Sequence, residues 1–119
     1  MRFRARGRNT RREPGQLNGL ERAYAERLTG LGVRHRFEAV KLRLADRTYY
    51  TPDFVVYDEQ GLIEFHEVKA ETGAGKPLIE DDAAVKIKVA AEQFPEFRFL
   101  LCSRASKKRG GEWTISEVG

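Results

Sequence analysis

The chain has little of what a disulfide-stapled, zinc-clipped or membrane-anchored protein needs. Among its 119 residues there is one cysteine, Cys102, so no intrachain disulfide and no cysteine-based zinc site can form, which fits a reducing compartment. Long apolar runs are missing as well. Stretches such as Phe99 to Cys102 fall far short of the ~20 residues that cross a bilayer. The arginine-rich start has no apolar stretch behind it to act as a secretory signal, and its arginines form no apolar helical face of the transit-peptide kind. There is no internal repeat. A chain of this length holds one core of useful size, and the expectation is a cytoplasmic protein with no membrane partner.

Acidic residues are absent from residues 1–12, which carry Arg2, Arg4, Arg6, Arg8, Arg11 and Arg12. Overall, 22 basic side chains against 18 acidic ones give a net charge of +4, and basic character points first to a polyanionic partner. Without the six arginines, residues 13–119 hold 16 bases and 18 acids, a net −2. Residues 1–15 have almost no apolar content and cannot offset their ordering entropy by burial. They read as a disordered basic arm on a single domain spanning 16–119.

Within that domain, Leu17, Leu20, Tyr24, Leu28 and Leu31 recur at three- and four-residue spacing, one face of a helix. Asn18 and Glu21 have the spacing of a capped start, and Gly30 and Gly32 end the helix. The period then becomes two. Val33, His35 and Phe37 alternate with Arg34 and Arg36, and Val40, Leu42 and Leu44 alternate with Lys41 and Arg43, as in half-buried strands. After a polar break at Ala45-Asp46-Arg47 come a strand-forming stretch from Tyr49 to Tyr57, a turn at Asp58–Gly61 and a strand from Leu62 to Lys69. A Gly-rich loop, Thr72 to Pro77, precedes a helix over roughly Leu78–Gln93 that Pro95 stops. Phe97–Cys102 reads as a strand, Arg104–Gly111 as a basic turn and Trp113–Val118 as a short strand. The order is helix, three or four meandering strands, helix, strand. A strand reached through a crossover helix runs parallel to its neighbour, so the expected fold is α/β, a mixed sheet flanked by helices.

The most informative stretch is Tyr50-Thr51-Pro52-Asp53-Phe54 followed, after a turn, by Glu67-Val68-Lys69. Antiparallel partners keep a constant index sum. A turn centred near Gln60 sets that sum at 120, pairing Val55 with Phe65, Tyr57 with Ile63 and Asp53 with Glu67. Side chains alternate across a strand, so an apolar face of Val55, Tyr57, Ile63 and Phe65 ends in Asp53, Glu67 and Lys69. Directly opposed carboxylates ~4.5–5.5 Å apart at Cβ destabilise a hairpin, and a divalent cation removes the conflict. Mg²⁺ takes one or two carboxylates and keeps waters that can attack a phosphate ester, while an ammonium on the same face can offset charge on phosphorus.

On these residues the chain resembles the PD-(D/E)xK nuclease superfamily, with its restriction-endonuclease-like α-β-β-β-α-β core. With Asn18-Gly19-Leu20-Glu21, Tyr49-Tyr50-Thr51-Pro52-Asp53-Phe54 and the helix running into Gln93-Phe94-Pro95-Glu96 included, it is similar to the phage endonuclease I group of junction-resolving enzymes. The resemblance covers roughly residues 17–104. It implies catalytic roles for Glu21, Asp53, Glu67 and Lys69, with Mg²⁺, or Mn²⁺ in its place, held by Asp53, Glu67 and the Val68 carbonyl and assisted by Glu21. It also implies a bacterial or phage-infected cell. The short Ala45-Asp46-Arg47 turn stands where that group has a longer, proline-containing bridge tied to a domain-swapped dimer.

Taken alone, Glu21 reads first as the partner of Asn18 in a helix cap, and as a site residue only with the resemblance. Phosphate contacts are expected from the arm arginines, from Lys76 in the Gly-rich loop, from Lys86 and Lys88 on the second helix, and from Arg104, Lys107, Lys108 and Arg109. Gly73-Ala74-Gly75-Lys76-Pro77 fails as a phosphate-binding P-loop, because Ala70 and Pro77 stand where a glycine and a hydroxyl residue belong. His66 and His35 read as strand histidines without ligand duty. The functional expectation is a Mg²⁺-dependent DNA endonuclease selective for branched DNA, a homodimer because paired cuts need two sites. The alternatives are a general nicking or transposase-associated end-cutting nuclease, and a noncatalytic DNA- or partner-binding module of the same fold.

Overall fold

A computed structural model of the chain describes residues 16–71 and 81–119. The arm arginines, the Gly-rich loop with Lys76 and the expected start of the second helix lie outside them. The first element, α1 (Gly19–Gly30), starts on a reciprocal cap. The Asn18 side chain accepts the Glu21 N–H at 2.7 Å and Glu21 Oε1 accepts the Asn18 N–H at 3.0 Å, so two orphan donors of the first turn are satisfied. It ends at Gly32, whose φ of 73° reverses the chain. The Gly32 and Val33 N–H groups then return to the Thr29 and Leu28 carbonyls.

Among the described residues five strands form one mixed sheet, lying edge to edge in the following order. They are β1 (Arg34–Phe37), β4 (Phe54–Tyr57), β5 (Ile63–Ala70), β6 (Arg98–Arg104) and β7 (Trp113–Val118). Strands β2 (Leu42–Ala45) and β3 (Thr48–Tyr50) form a separate hairpin, and α2 (Asp81–Gln93) links β5 to β6. The register of β4 on β5 has the predicted index sum, with Val55 opposite Phe65 and Tyr57 opposite Ile63. The Asp58 carboxylate sets the turn by accepting the Gln60 and Leu62 N–H groups, both at 2.8 Å. As expected for a strand reached through a crossover helix, β6 lies parallel to β5.

The stretch Tyr49–Tyr57 is not one strand. Tyr50 pairs with Leu42 in the hairpin and Phe54 with Phe37 and His66 in the main sheet. The break falls at Thr51–Asp53, where Pro52 has no N–H to give to a ladder. Among the described residues five strands therefore precede α2, and the meander that the alternation predicts is divided between two sheets.

Each face of the main sheet carries its own core. Tyr24 and Leu28 of α1 pack on Phe54, Val56, Val68, Leu100 and Cys102. On the other face, Ile87 and Ala90 of α2 and Leu42, Leu44 and Tyr50 of the hairpin pack on Val55, Phe65 and Phe99. No helix among the described residues is long and apolar enough to cross a membrane.

Candidate active site

Asp53, Glu67 and Lys69 stand where β4 begins and β5 nears its end. Both acids are buried, Asp53 to 1% exposure and Glu67 to 6%. The Asp53 backbone and side chain are both tied down. Its carbonyl accepts the Glu38 N–H at 2.8 Å, and Oδ2 accepts the Val68 N–H at 2.8 Å. Glu67 shares the face of Phe65, which is the α2 and hairpin side of the sheet. Its Oε2 lies 3.4 Å from Lys69 Nζ, and its Oε1 accepts the Tyr50 hydroxyl at 2.7 Å. Two buried carboxylates, one of them beside an ammonium, thus lie at one end of the sheet. Their donor atoms are oxygens, the set that suits Mg²⁺ or another hard cation.

Glu21 is placed differently. It is 3% exposed, on a helix packed against the opposite face, and its carboxylate serves the cap of α1. Among the described residues no group of three or more His, Cys, Asp or Glu side chains is arranged to hold a metal ion, so Glu21 does not complete a three-carboxylate cluster with Asp53 and Glu67.

The basic residues fall into two settings. Lys107, Lys108 and Arg109 form an exposed 3-10 turn after β6, at the end of the sheet where Lys69 pairs with Ser103. Arg104 is engaged inside the fold: it donates to the Gly111 carbonyl at 2.9 Å and its guanidinium lies 5.3 Å from the Trp113 ring. On α2, Lys86 pairs with Asp82 at 3.5 Å and Lys88 is exposed. Tyr50 is the residue that motif spacing leaves without a role. The signal that finds it is the hairpin register, since Leu42 faces inward and Tyr50, its partner, must do the same.

The face opposite Glu67 carries a buried polar chain. His66 Nε2 is 2.9 Å from Glu64 Oε1 and Nδ1 is 2.7 Å from the Tyr24 hydroxyl. A carboxylate only accepts, so Nε2 carries the proton, Nδ1 accepts from Tyr24, and Tyr24 accepts the Cys102 thiol at 3.1 Å. Burial pushes the Cys102 thiol up to about 12, so Cys102 is an inert packing group. Burial also lowers the His66 pKa below its ordinary 6.5, against the pull of Glu64. The unfolded chain then binds the proton that the folded chain refuses, so stability contributed by neutral His66 is present above pH 6.5 and is lost as pH falls toward the folded-state value. Urea unfolding between pH 8 and pH 5 should show stability falling with a slope of at most about 1.4 kcal/mol per pH unit from this group, and His66→Asn should flatten it. An unchanged slope in the variant means that another group is responsible.

Comparison with protein-family models, with curated proteins and with solved structures returned no match to this chain.

Proposed function

We propose that this chain is a magnesium-dependent DNA endonuclease acting on branched DNA, with Asp53 and Glu67 as metal-binding acids, the Val68 carbonyl as a further oxygen donor and Lys69 beside the attacked phosphate. The observation that carries the reading is the placement of two buried carboxylates at one end of the sheet, one of them 3.4 Å from an ammonium, with a basic turn at the same end. The element order supports it too. Setting aside the β2–β3 hairpin and β7, the chain runs α1, β1, β4, β5, α2, β6, the order expected of the restriction-endonuclease-like core. A bound cation would supply a lowered water pKa and a charge clamp on the phosphate. Asp53 and Glu67 would hold the cation, Lys69 would offset charge at the phosphoryl oxygens, and the 107–109 turn would add backbone phosphate affinity. A homodimer would place two such sites for paired cuts.

One observation favours a second reading, a DNA-binding module without catalysis: no third acid joins Asp53 and Glu67 among the described residues. Side-by-side assays separate the two. The purified chain with Mg²⁺ or Mn²⁺ should cut a four-way junction faster than a linear duplex of the same sequence, and Mn²⁺ should raise its melting temperature. Binding without cleavage, and no shift with Mn²⁺, would leave the noncatalytic module. Equal cutting of both DNAs would make it a general nickase.

A further inference from the structure

Resting on the nuclease reading, we infer that Tyr50 is a positioning residue that sets the plane of the Glu67 carboxylate for metal binding. The terminal torsion of a glutamate is broad and has no strong intrinsic preference. A metal-binding Glu67 therefore needs an outside group to fix which oxygen faces the cation. Lys69 Nζ lies 3.4 Å from Oε2, and the Tyr50 hydroxyl donates to Oε1 at 2.7 Å. That is within the length range of a hydrogen bond to an ionised carboxylate. Tyr50 is 5% exposed, so little bulk water competes for the contact.

The bond crosses between two sheets. Tyr50 belongs to the hairpin and Glu67 to the main sheet, and the hairpin is held by Leu42 and Leu44 in the core and by the Gln93 amide, which donates to the Leu44 carbonyl at 2.9 Å. A phenol suits the task. It is an uncharged donor near neutral pH, so it orients the carboxylate without neutralising the charge a cation needs, and the oxygen it bonds keeps a second lone pair. The hairpin thus has a job that its own small sheet does not explain: it carries the orienting hydroxyl to the site.

Outer partners of metal ligands typically cost ~10–100-fold in metal affinity or activity when removed. Tyr50→Phe should raise the Mn²⁺ concentration at half-saturation about 10-fold in a DNA-free calorimetric titration. It should also lower kcat on branched DNA while leaving KM for the DNA unchanged. Tyr24→Phe, which removes a buried hydroxyl from the other face of the sheet, should lower stability to a similar degree and move neither metal readout. Equal Mn²⁺ midpoints in wild type and Tyr50→Phe overturn the inference and leave the nuclease reading standing. A wild-type chain that neither binds Mn²⁺ nor cuts DNA overturns both. If Tyr50→Phe does not fold, Gln93→Ala, which loosens the hairpin without touching Tyr50, should raise the midpoint in the same direction, and no change there overturns the inference as well.

Discussion

Replacing Glu67 with glutamine is expected to lower metal-dependent DNA cleavage by about 10³-fold with the fold retained. Glutamine keeps the shape and one acceptor oxygen, so the Tyr50 hydroxyl still has a partner, and the nearby Lys69, itself 20% exposed, reaches water. What is removed is the negative charge. Cation charge stabilisation at a phosphoryl centre amounts to several kcal/mol, and each ~1.4 kcal/mol is tenfold in rate, which sets the size of the effect. In the metal-free protein the change removes one buried negative charge, so the melting temperature without metal should hold or rise, and the Mn²⁺-induced rise should vanish. Initial rates on a nicked or branched substrate, with melting curves in chelator and in Mn²⁺, measure both. A variant that cuts within tenfold of wild type removes Glu67 from the mechanism.

Phe54→Ala should be the most destabilising single truncation beside the site. Phe54 is fully buried, and the rings of Tyr24, Phe37 and His35 surround it at centroid distances of 5.6, 5.4 and 5.8 Å. Truncating a buried phenylalanine costs about 3–5 kcal/mol, a large share of the ~5–15 kcal/mol that holds a domain together. For a domain of this size the melting temperature should fall by about 12 °C or more. Phe54→Leu fills most of the space and should cost less. The consequence reaches the site because Phe54 is joined to Asp53 through the backbone, and Asp53 depends on the Val68 and Glu38 N–H groups staying in register. Cleavage by Phe54→Ala should therefore fall even below its melting temperature. A melting point within a few degrees of wild type would show that Phe54 does not hold this layer together.

Much of the frame was legible in local patterns, because those patterns act over a few residues. Asn18 and Glu21 are three apart and close the α1 cap by themselves. Asp58 ties its own turn, so the register of β4 on β5 follows from where Gly61 lets the chain reverse at φ 84°. Alternation then places Phe65, Glu67 and Lys69 on one face and His66 and Val68 on the other. The Tyr49–Tyr57 stretch shows where such reading stops: aromatic and β-branched residues suit any strand, and nothing in that composition says that Tyr50 and Phe54 belong to different sheets.

The sequence by itself determined α1 and its cap, the β4–β5 pairing, the parallel crossover to β6 and the placement of Asp53, Glu67 and Lys69 at one end of the sheet. Only the tertiary structure decided that the β2–β3 hairpin leaves the sheet and brings Tyr50 to Glu67, and that Tyr24, His66 and Cys102 share a buried chain. Those bonds join residues 17, 42 and 78 positions apart. Their partners are chosen by how whole layers pack, since a buried hydroxyl, imidazole or carboxylate must find whatever donor or acceptor the neighbouring layer presents, and no local period records which one that is.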